Sequence, residues 1–494
     1  MGLRAFLARP FAAYIVGKYA KAAANAEAIQ LEWMQKLVAK AKGTQFGKDH
    51  NFASIRSYDD FKAAVPIREY ESLRPYIDRM VAGEPDVIWP GKPAYLAKTS
   101  GTTSGVKYIP LTADSIPNHI NSARDALLHY VHHSGKARFL DKKLIFLSGS
   151  PVLEEKNGIH VGRLSGIVNH HVYAFLRSNQ MPTWETNCIA DWEQKLDKIV
   201  EETLPEDMSL ISGIPPWVQM YFDKLKEKTG KQIKDLFPNF QLFVYGGVNF
   251  EPYRRKLMES IGKEVDSIEL FPASEGFFAF QDKPKRNGMQ LMVDSGIFFE
   301  FVPADEYGKP NATRLHLGQV EKDKVYALVI TNNAGLWAYS IGDLVRFVET
   351  KPHRVVVAGR TSHYISAFGE HVIAEEVEKA MKLALVQFPD TSVSEFTVAP
   401  QVTPADGLPY HEWLIEFEKP PANLPAFERA LDGYMQAQNI YYKDLIVGSI
   451  LEQLHIQSLP KGAFAAMMRK EGKLGGQNKV PRLSNDRTLA DKLS

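Results

Sequence analysis

At 494 residues the chain is too long for one ordinary hydrophobic core, so two or more domains are expected. Its 45% apolar and 24% charged residues are the mix of a globular fold, and 59 basic against 58 acidic residues leave no net field that would gather nucleic acid or an anionic membrane. The single cysteine, Cys188, excludes an internal disulfide and fits a reducing cytoplasm.

Residues 1–19 are apolar and mildly basic, and read as a helix that docks on the main domain or, in the minority case, on a membrane surface. The apolar run 11–16 is too short for a secretory leader, and Phe6 stands where a myristoylation signal needs a hydroxyl. Nothing in the chain reaches the roughly 18–20 apolar residues needed to span a bilayer. Ile29, Trp33 and Leu37 recur every fourth residue and mark a helix that Gly43 ends. Beyond it, short runs rich in Val, Ile and aromatics at 144–147, 242–245, 297–302 and 325–330 alternate with helical stretches at 192–202 and 218–228. Such alternation predicts an α/β fold with buried sheets. Near residue 360 the pattern changes, as Val355-Val356-Val357 runs through Gly359-Arg360 into the polar turn Thr361-Ser362-His363. The tail reads as a small α/β domain, with helices over 372–385 and 425–438. Between them, 411–418 alternates like a half-exposed strand with Trp413, Ile415 and Phe417 on one face.

The most telling stretch is Thr99-Ser100-Gly101-Thr102-Thr103-Ser104-Gly105-Val106-Lys107. Glycines let backbone N–H groups approach an anion, and hydroxyls and an ammonium add donors, which is the chemistry of a polyphosphate grip. The Gly-x3-Gly-x-Lys spacing misses the Walker pattern, and a polar hairpin loop would look the same. Four further motifs follow. Tyr245-Gly246-Gly247 ends a strand with a close backbone approach to a flat ligand or to another segment. Phe271-Pro272-Ala273-Ser274-Glu275-Gly276 offers a ring for a base, a hydroxyl for a phosphate and a carboxylate for Mg²⁺, or is an ordinary loop. Tyr339-Ser340-Ile341-Gly342-Asp343 places a carboxylate where ribose hydroxyls could be accepted, or is a Gly-Asp turn. Gly359-Arg360 and Gly369-Glu370 lie where the two domains join. Late in the chain, Lys479 follows the glycine-rich run 475–478.

The order of these motifs resembles the adenylate-forming superfamily of acyl-CoA synthetases, luciferases and peptide-synthetase adenylation domains. A narrower resemblance is to the Gretchen Hagen family of acyl acid amido synthetases. It rests on Phe61-Lys62-Ala63-Ala64-Val65-Pro66, Tyr70-Glu71, Tyr76-Ile77-Asp78-Arg79, Thr331-Asn332-Asn333-Ala334-Gly335-Leu336, Leu459-Pro460-Lys461-Gly462 and Gly476-Gln477-Asn478-Lys479-Val480-Pro481-Arg482. The resemblance implies a large N-terminal ATP- and acyl-binding domain, residues 1–360, of sheets flanked by helices. A small mobile lid, 361–494, would follow it. It implies ATP and Mg²⁺ as cofactors, and a carboxylic acid and an amino acid or other amine as substrates. Carried over by position, Thr99, Ser100, Gly101, Thr102, Thr103 and Lys107 would bind phosphates, and Gly246, Gly247 and Phe271 would bound the adenine. Ser274 would touch the α-phosphate, Glu275 would hold Mg²⁺, Asp343 would bind ribose, Arg360 would sit at the hinge, and Lys479 would neutralise the reacting phosphate. Two residues depart from the family pattern: Ser340 replaces an arginine, and Ser362 stands at the hinge where relatives carry Asp or Lys.

Adenylation suits such residues because it brings two anions together, and so needs cations and oriented donors where charge develops. No general base for the second step is evident; His160, His170 and His171 fall where an acyl pocket would lie. An acid–thiol ligase and a non-catalytic nucleotide- or acyl-binding protein are the rival readings. The acid, the acceptor and the oligomeric state are not legible.

Overall fold

A computed structural model describes the chain except residues 1, 101–105, 247–249, 362–363, 366–371, 403, 448–450, 473–478, 485 and 494. It divides into two compact units, 1–248 with 258–356, and 249–257 with 357–494.

In the larger unit, one end of a mixed sheet is parallel. Lys143–Phe146 lies between Gln180–Met181 and Met208–Ser212, followed by Leu242–Gly246 and Asp266–Ala273. Leu242–Gly246, within this end, is a continuous apolar run, with Leu242, Phe243, Val244 and Tyr245 all buried. Helix Trp192–Thr203 covers one face with Trp192, Leu196, Ile199 and Val200; Asp191 caps it by accepting from the Gln194 N–H. The direction then reverses at a hairpin from Asp266–Ala273 into Gly276–Phe280. Beyond it the sheet includes the antiparallel strands Met289–Leu291, Tyr339–Thr350, Val325–Asn332 and Ile297–Pro303. Among the described residues it reaches twelve strands. The carboxyl ends of the parallel strands thus meet the antiparallel half at residues 274–275, the kind of switch point where open α/β sheets hold ligands.

The N-terminal segment forms two helices. Leu3–Ala24 buries Ala5, Ala12 and Ile15 and packs on helix Ile116–Ser134. Ala26–Ala41 turns a different stripe inward from the one expected. Gln30, Met34, Leu37 and Val38 are buried, while Ile29 and Trp33 are only half covered. The reason is polar: the Gln30 amide donates to the Val293 and Ile297 carbonyls at 2.7 and 2.9 Å and accepts from the Phe299 N–H at 2.8 Å.

The smaller unit has an antiparallel pair, Ser392–Gln401 and Tyr410–Lys419, with His455–Leu459 parallel to the second strand. Helices Ala374–Gln387 and Leu424–Gln438 pack on it through Val377, Met381, Phe427 and Leu431. The expected half-exposed strand is instead buried on both faces. Trp413, Ile415 and Phe417 meet those helices, and Leu414 meets Leu459, Phe464 and Met467. Glu416, facing the second side, is satisfied by accepting from the Gly462 and Phe464 N–H groups. No helix of the described residues is long and apolar enough to cross a membrane.

Candidate functional site

Three hairpins of the larger unit carry the sequence motifs. The first pairs Tyr95–Ser100 with Val106–Leu111, placing Thr99 opposite Lys107 and Ser100 opposite Val106. Its tip holds Gly101, Thr102 and Thr103 and lies outside the described residues. The Lys107 ammonium sits 5.4 Å from the centre of the Tyr70 ring, and the Tyr70 hydroxyl accepts from the Tyr108 N–H at 2.9 Å.

The second hairpin pairs Ala273 with Gly276, so Ser274 and Glu275 are the two central residues of a tight turn, both half-buried. Phe271 and Ala273 belong to the strand itself rather than to a loop. Phe271 is buried at 6% exposure and packs edge-on to Phe278 at 5.2 Å, so most of its ring is held by the protein. Gly246 pairs with Leu270, and a Cβ there would lie 2.5 Å from the Leu270 carbonyl oxygen. Of the two readings for that glycine, close approach of another chain segment is the one met here; Gly247 lies outside the described residues.

The third hairpin joins Val325–Asn332 to Tyr339–Thr350. Residues 341–343 form a bulge opposite Leu328, with Ala327 paired to Leu344 and Val329 to Ser340. Gly342 has φ +80°, a conformation that favours glycine, and it puts half-buried Asp343 on irregular backbone inside a strand rather than on a turn. Ser340, where the resemblance led to the expectation of an arginine, is buried and lies 2.7 Å from the Tyr307 hydroxyl, which also reaches Glu69 at 3.0 Å. Its N–H donates to the Arg68 carbonyl, and the Arg68 N–H to the Ala338 carbonyl, so residue 68 runs beside the start of this strand.

Two adjacent asparagines tie the hairpins together. Asn332, 2% exposed, accepts from the Ala334 and Leu336 N–H groups at 3.0 and 3.1 Å and donates to the Glu275 carbonyl at 2.8 Å. Asn333 accepts from the Thr112 hydroxyl through its carbonyl and donates to the Asp114 carbonyl through its side chain, both at 2.7 Å. Asn118, on the helix that follows, bonds both the N–H and the carbonyl of Phe277, at 2.7 and 3.0 Å. The base of the first hairpin, the turn bearing Glu275 and the end of the third hairpin are thereby one polar junction. The sequence shows residues 331–336 as a family stretch but gives no hint of this role, because a turn rich in Asn looks the same whether its amides face water or other backbone.

Arg360 ends the strand His353–Arg360 and, with Lys479, belongs to the smaller unit. Lys479 is exposed, and the segment after it is fixed: the Thr397 hydroxyl donates to the Pro481 carbonyl, the Val398 N–H to that of Arg482, and Arg482 pairs with Glu378 and Glu395. Ser362 lies outside the described residues. His170 bonds the Pro151 carbonyl at 2.8 Å, which marks it as structural. His171 meets the Tyr95 hydroxyl at 3.1 Å, and burial lowers its pKa, which favours a neutral ring.

Two other features compete for attention. His129, His133 and Asp282 bring one ligand atom each within 4.8 Å of the others. Both Asp282 oxygens are held by the buried Arg354 guanidinium, whose charge opposes a divalent ion, so this is a structural charge cluster. A groove of about 410 Å³ lined by Met34, Arg56, Tyr58, Lys62 and His316 contains none of the residues expected to bind nucleotide or Mg²⁺.

Comparison with known proteins decides the family. Models of the GH3 family N-terminal, central and C-terminal domains match residues 16–196, 290–360 and 375–488. The chain belongs to the GH3 family. It is 23% identical to a jasmonoyl–L-amino acid synthetase of Oryza sativa subsp. japonica, over 93% of each chain. The AtGH3.15 acyl acid amido synthetase, solved in complex with 2,4-DB, superposes with a TM-score of 0.78 at 18% identity, covering 95% of this chain and 93% of that one. A 2-hydroxyisobutyryl-CoA ligase in the postadenylation state gives 0.63 at 13% identity, covering 96% and 92%. Both share the fold of this GH3 chain, an α/β adenylate-forming architecture with a large sheet-bearing N-terminal part.

Proposed function

We propose that the protein is an ATP-dependent acyl acid amido synthetase working in the cytoplasm. The carboxylate of an acid attacks the α-phosphorus of ATP; a P–O bond forms, and pyrophosphate leaves with the broken one. The amine of an amino acid then attacks the acyl carbon, AMP leaves, and the amine's extra proton is lost. The observation that carries this reading is the polar junction through Asn332 and Asn333. It fixes, on one framework, the turn of Ser274 and Glu275 and the base of the hydroxyl-rich hairpin, at the end of the strand pair bearing Asp343.

In this reading Ser100, Thr102, Thr103 and Lys107 hold the phosphates, Ser274 touches the reacting phosphate and Asp343 accepts from the ribose hydroxyls. The donor set suits a divalent ion, since Mg²⁺ takes one or two carboxylates and leaves the rest of its shell to phosphate oxygens and water. Glu275 would hold it, and its charge would offset that of the phosphates. Asn332 donates to the backbone carbonyl of Glu275 and so holds the turn that carries its carboxylate. Arg360 and Lys479 act from the smaller unit, which serves as the lid, with Lys479 neutralising charge as the phosphoryl bond breaks. Holding both reactants is worth an effective molarity of roughly 10⁵ M or more.

A panel of aryl, indolyl and fatty acids, each incubated with ATP, Mg²⁺ and hydroxylamine, tests the first step. At least one acid should give a hydroxamate and acid-dependent pyrophosphate exchange. ATP binding with no exchange for any acid would favour a nucleotide-binding protein without turnover.

A further inference from the structure

We propose that the outer face of helix Leu3–Ala24 docks on an anionic lipid surface. The helix turns Ala5, Ala12 and Ile15 inward, yet its outer face is also apolar. Leu3 is 73% exposed, Phe6 62%, Leu7 56%, Phe11 42% and Tyr14 68%. These positions share one side of a helix, and they are five of the twelve large apolar side chains exposed among the described residues. A helix apolar on both sides is normally buried on both. The exposure does not come from a frayed end, because Asp141 accepts from the Gly2 and Ala5 N–H groups at 2.7 and 3.3 Å. Contiguous apolar surface of this kind marks a binding face.

Charge selects the occupant. Residues 2–26 contain Arg4, Arg9, Lys18 and Lys21 and no acid, although the whole chain is balanced at +1. Exposed Lys18 and Lys21 continue the face on which the apolar side chains stand. Aromatic and aliphatic side chains entering the headgroup boundary, with lysines behind them, are the makings of an interfacial helix on anionic lipid. A second copy of the chain would instead bring two basic, acid-free faces together, which like-charge repulsion opposes. The first fifteen residues also precede the span matched by the family. The proposal is independent of the amido synthetase reading, since its test reads binding rather than turnover.

The test is sedimentation of the full chain with vesicles of phosphatidylcholine alone and with about one third phosphatidylglycerol. The wild type should bind the mixed vesicles about tenfold or more above the neutral ones, since each basic side chain at such a surface is worth roughly fivefold. The Phe6→Glu/Leu7→Glu variant should lose about tenfold or more on the mixed vesicles. Lys18→Glu/Lys21→Glu should fall to the level of neutral lipid. Far-ultraviolet circular dichroism should show both variants folded. No sedimentation of the wild type, or wild-type binding by the Phe6→Glu/Leu7→Glu variant, would overturn the proposal. So would a dimer in sedimentation velocity that the same variant dissolves, because the face would then be an interface between copies.

Discussion

The junction at Asn332 and the outer face of the Leu3–Ala24 helix are opposite departures from the usual partition of side chains. One buries a carboxamide at 2% exposure where an apolar residue would ordinarily stand; the other leaves Leu3 and Tyr14 about two-thirds or more in water. Buried polar groups and exposed apolar groups are the informative ones, since each needs a partner. For Asn332 the partners are all protein: two N–H groups of its own loop and the carbonyl of Glu275. The network is closed on these three groups, as the proposed site would require to hold reacting groups in register. On the helix face, Leu3, Phe6, Leu7 and Tyr14 stay mostly exposed among the described residues, and the proposal places their partner outside the chain. The contrast teaches that the same test, asking what satisfies each anomalous side chain, separates a site built inward from a surface built outward.

The strongest way to break the inward half is at its carboxylates. Glu275→Ala and Asp343→Ala should each cut acid-dependent pyrophosphate exchange by about tenfold or more, while circular dichroism stays that of the wild type. Wild-type exchange in both variants would remove the site assignment. Next, Lys479→Ala should slow adenylation by about tenfold and leave the ATP dissociation constant within about twofold, by isothermal titration. Equal loss of both would assign this lysine to ground-state binding instead.

Asn332→Ala sharpens the comparison. It leaves three backbone groups short of a partner and should cost about 2–4 kcal/mol in denaturant unfolding. Asn332→Asp keeps the acceptor for Ala334 and Leu336 but loses the donor to Glu275. Its stability should fall less, while exchange falls as far as in Asn332→Ala, which would show that the junction acts by positioning the turn.

The last prediction concerns pH. Burial pushes His119 and His129 down to about 4 from the ordinary 6.5. The unfolded chain therefore takes up these protons first on acidification. Stability is complete above pH 6.5 and is lost as pH falls toward 4, by about 2–3 kcal/mol for each histidine. His119→Gln and His129→Gln should each flatten the denaturation midpoint between pH 6.5 and 4.5.

Much of the fold was legible because strand composition and helical spacing are local signals. The runs at 242–245 and 297–302 became Leu242–Gly246 and Ile297–Pro303, and 425–438 became Leu424–Gln438. Failures came where tertiary partners overrode the pattern. Gln30 is turned inward by carbonyls more than 260 residues away, and Glu416 is buried because two N–H groups meet it. The motif residues could be named from the sequence because their chemistry is unusual in combination. What joins them could not, since Asn332, Asn333 and Asn118 act through backbone atoms that carry no sequence signature.

The most direct measurement is the product formed by the wild-type protein from ATP, a free carboxylic acid that supports pyrophosphate exchange, and either a mixture of amino acids or coenzyme A. The account predicts an N-acyl amino acid, identified by mass, in equal amount to the AMP released. AMP released only with coenzyme A, or with neither acceptor, would contradict it.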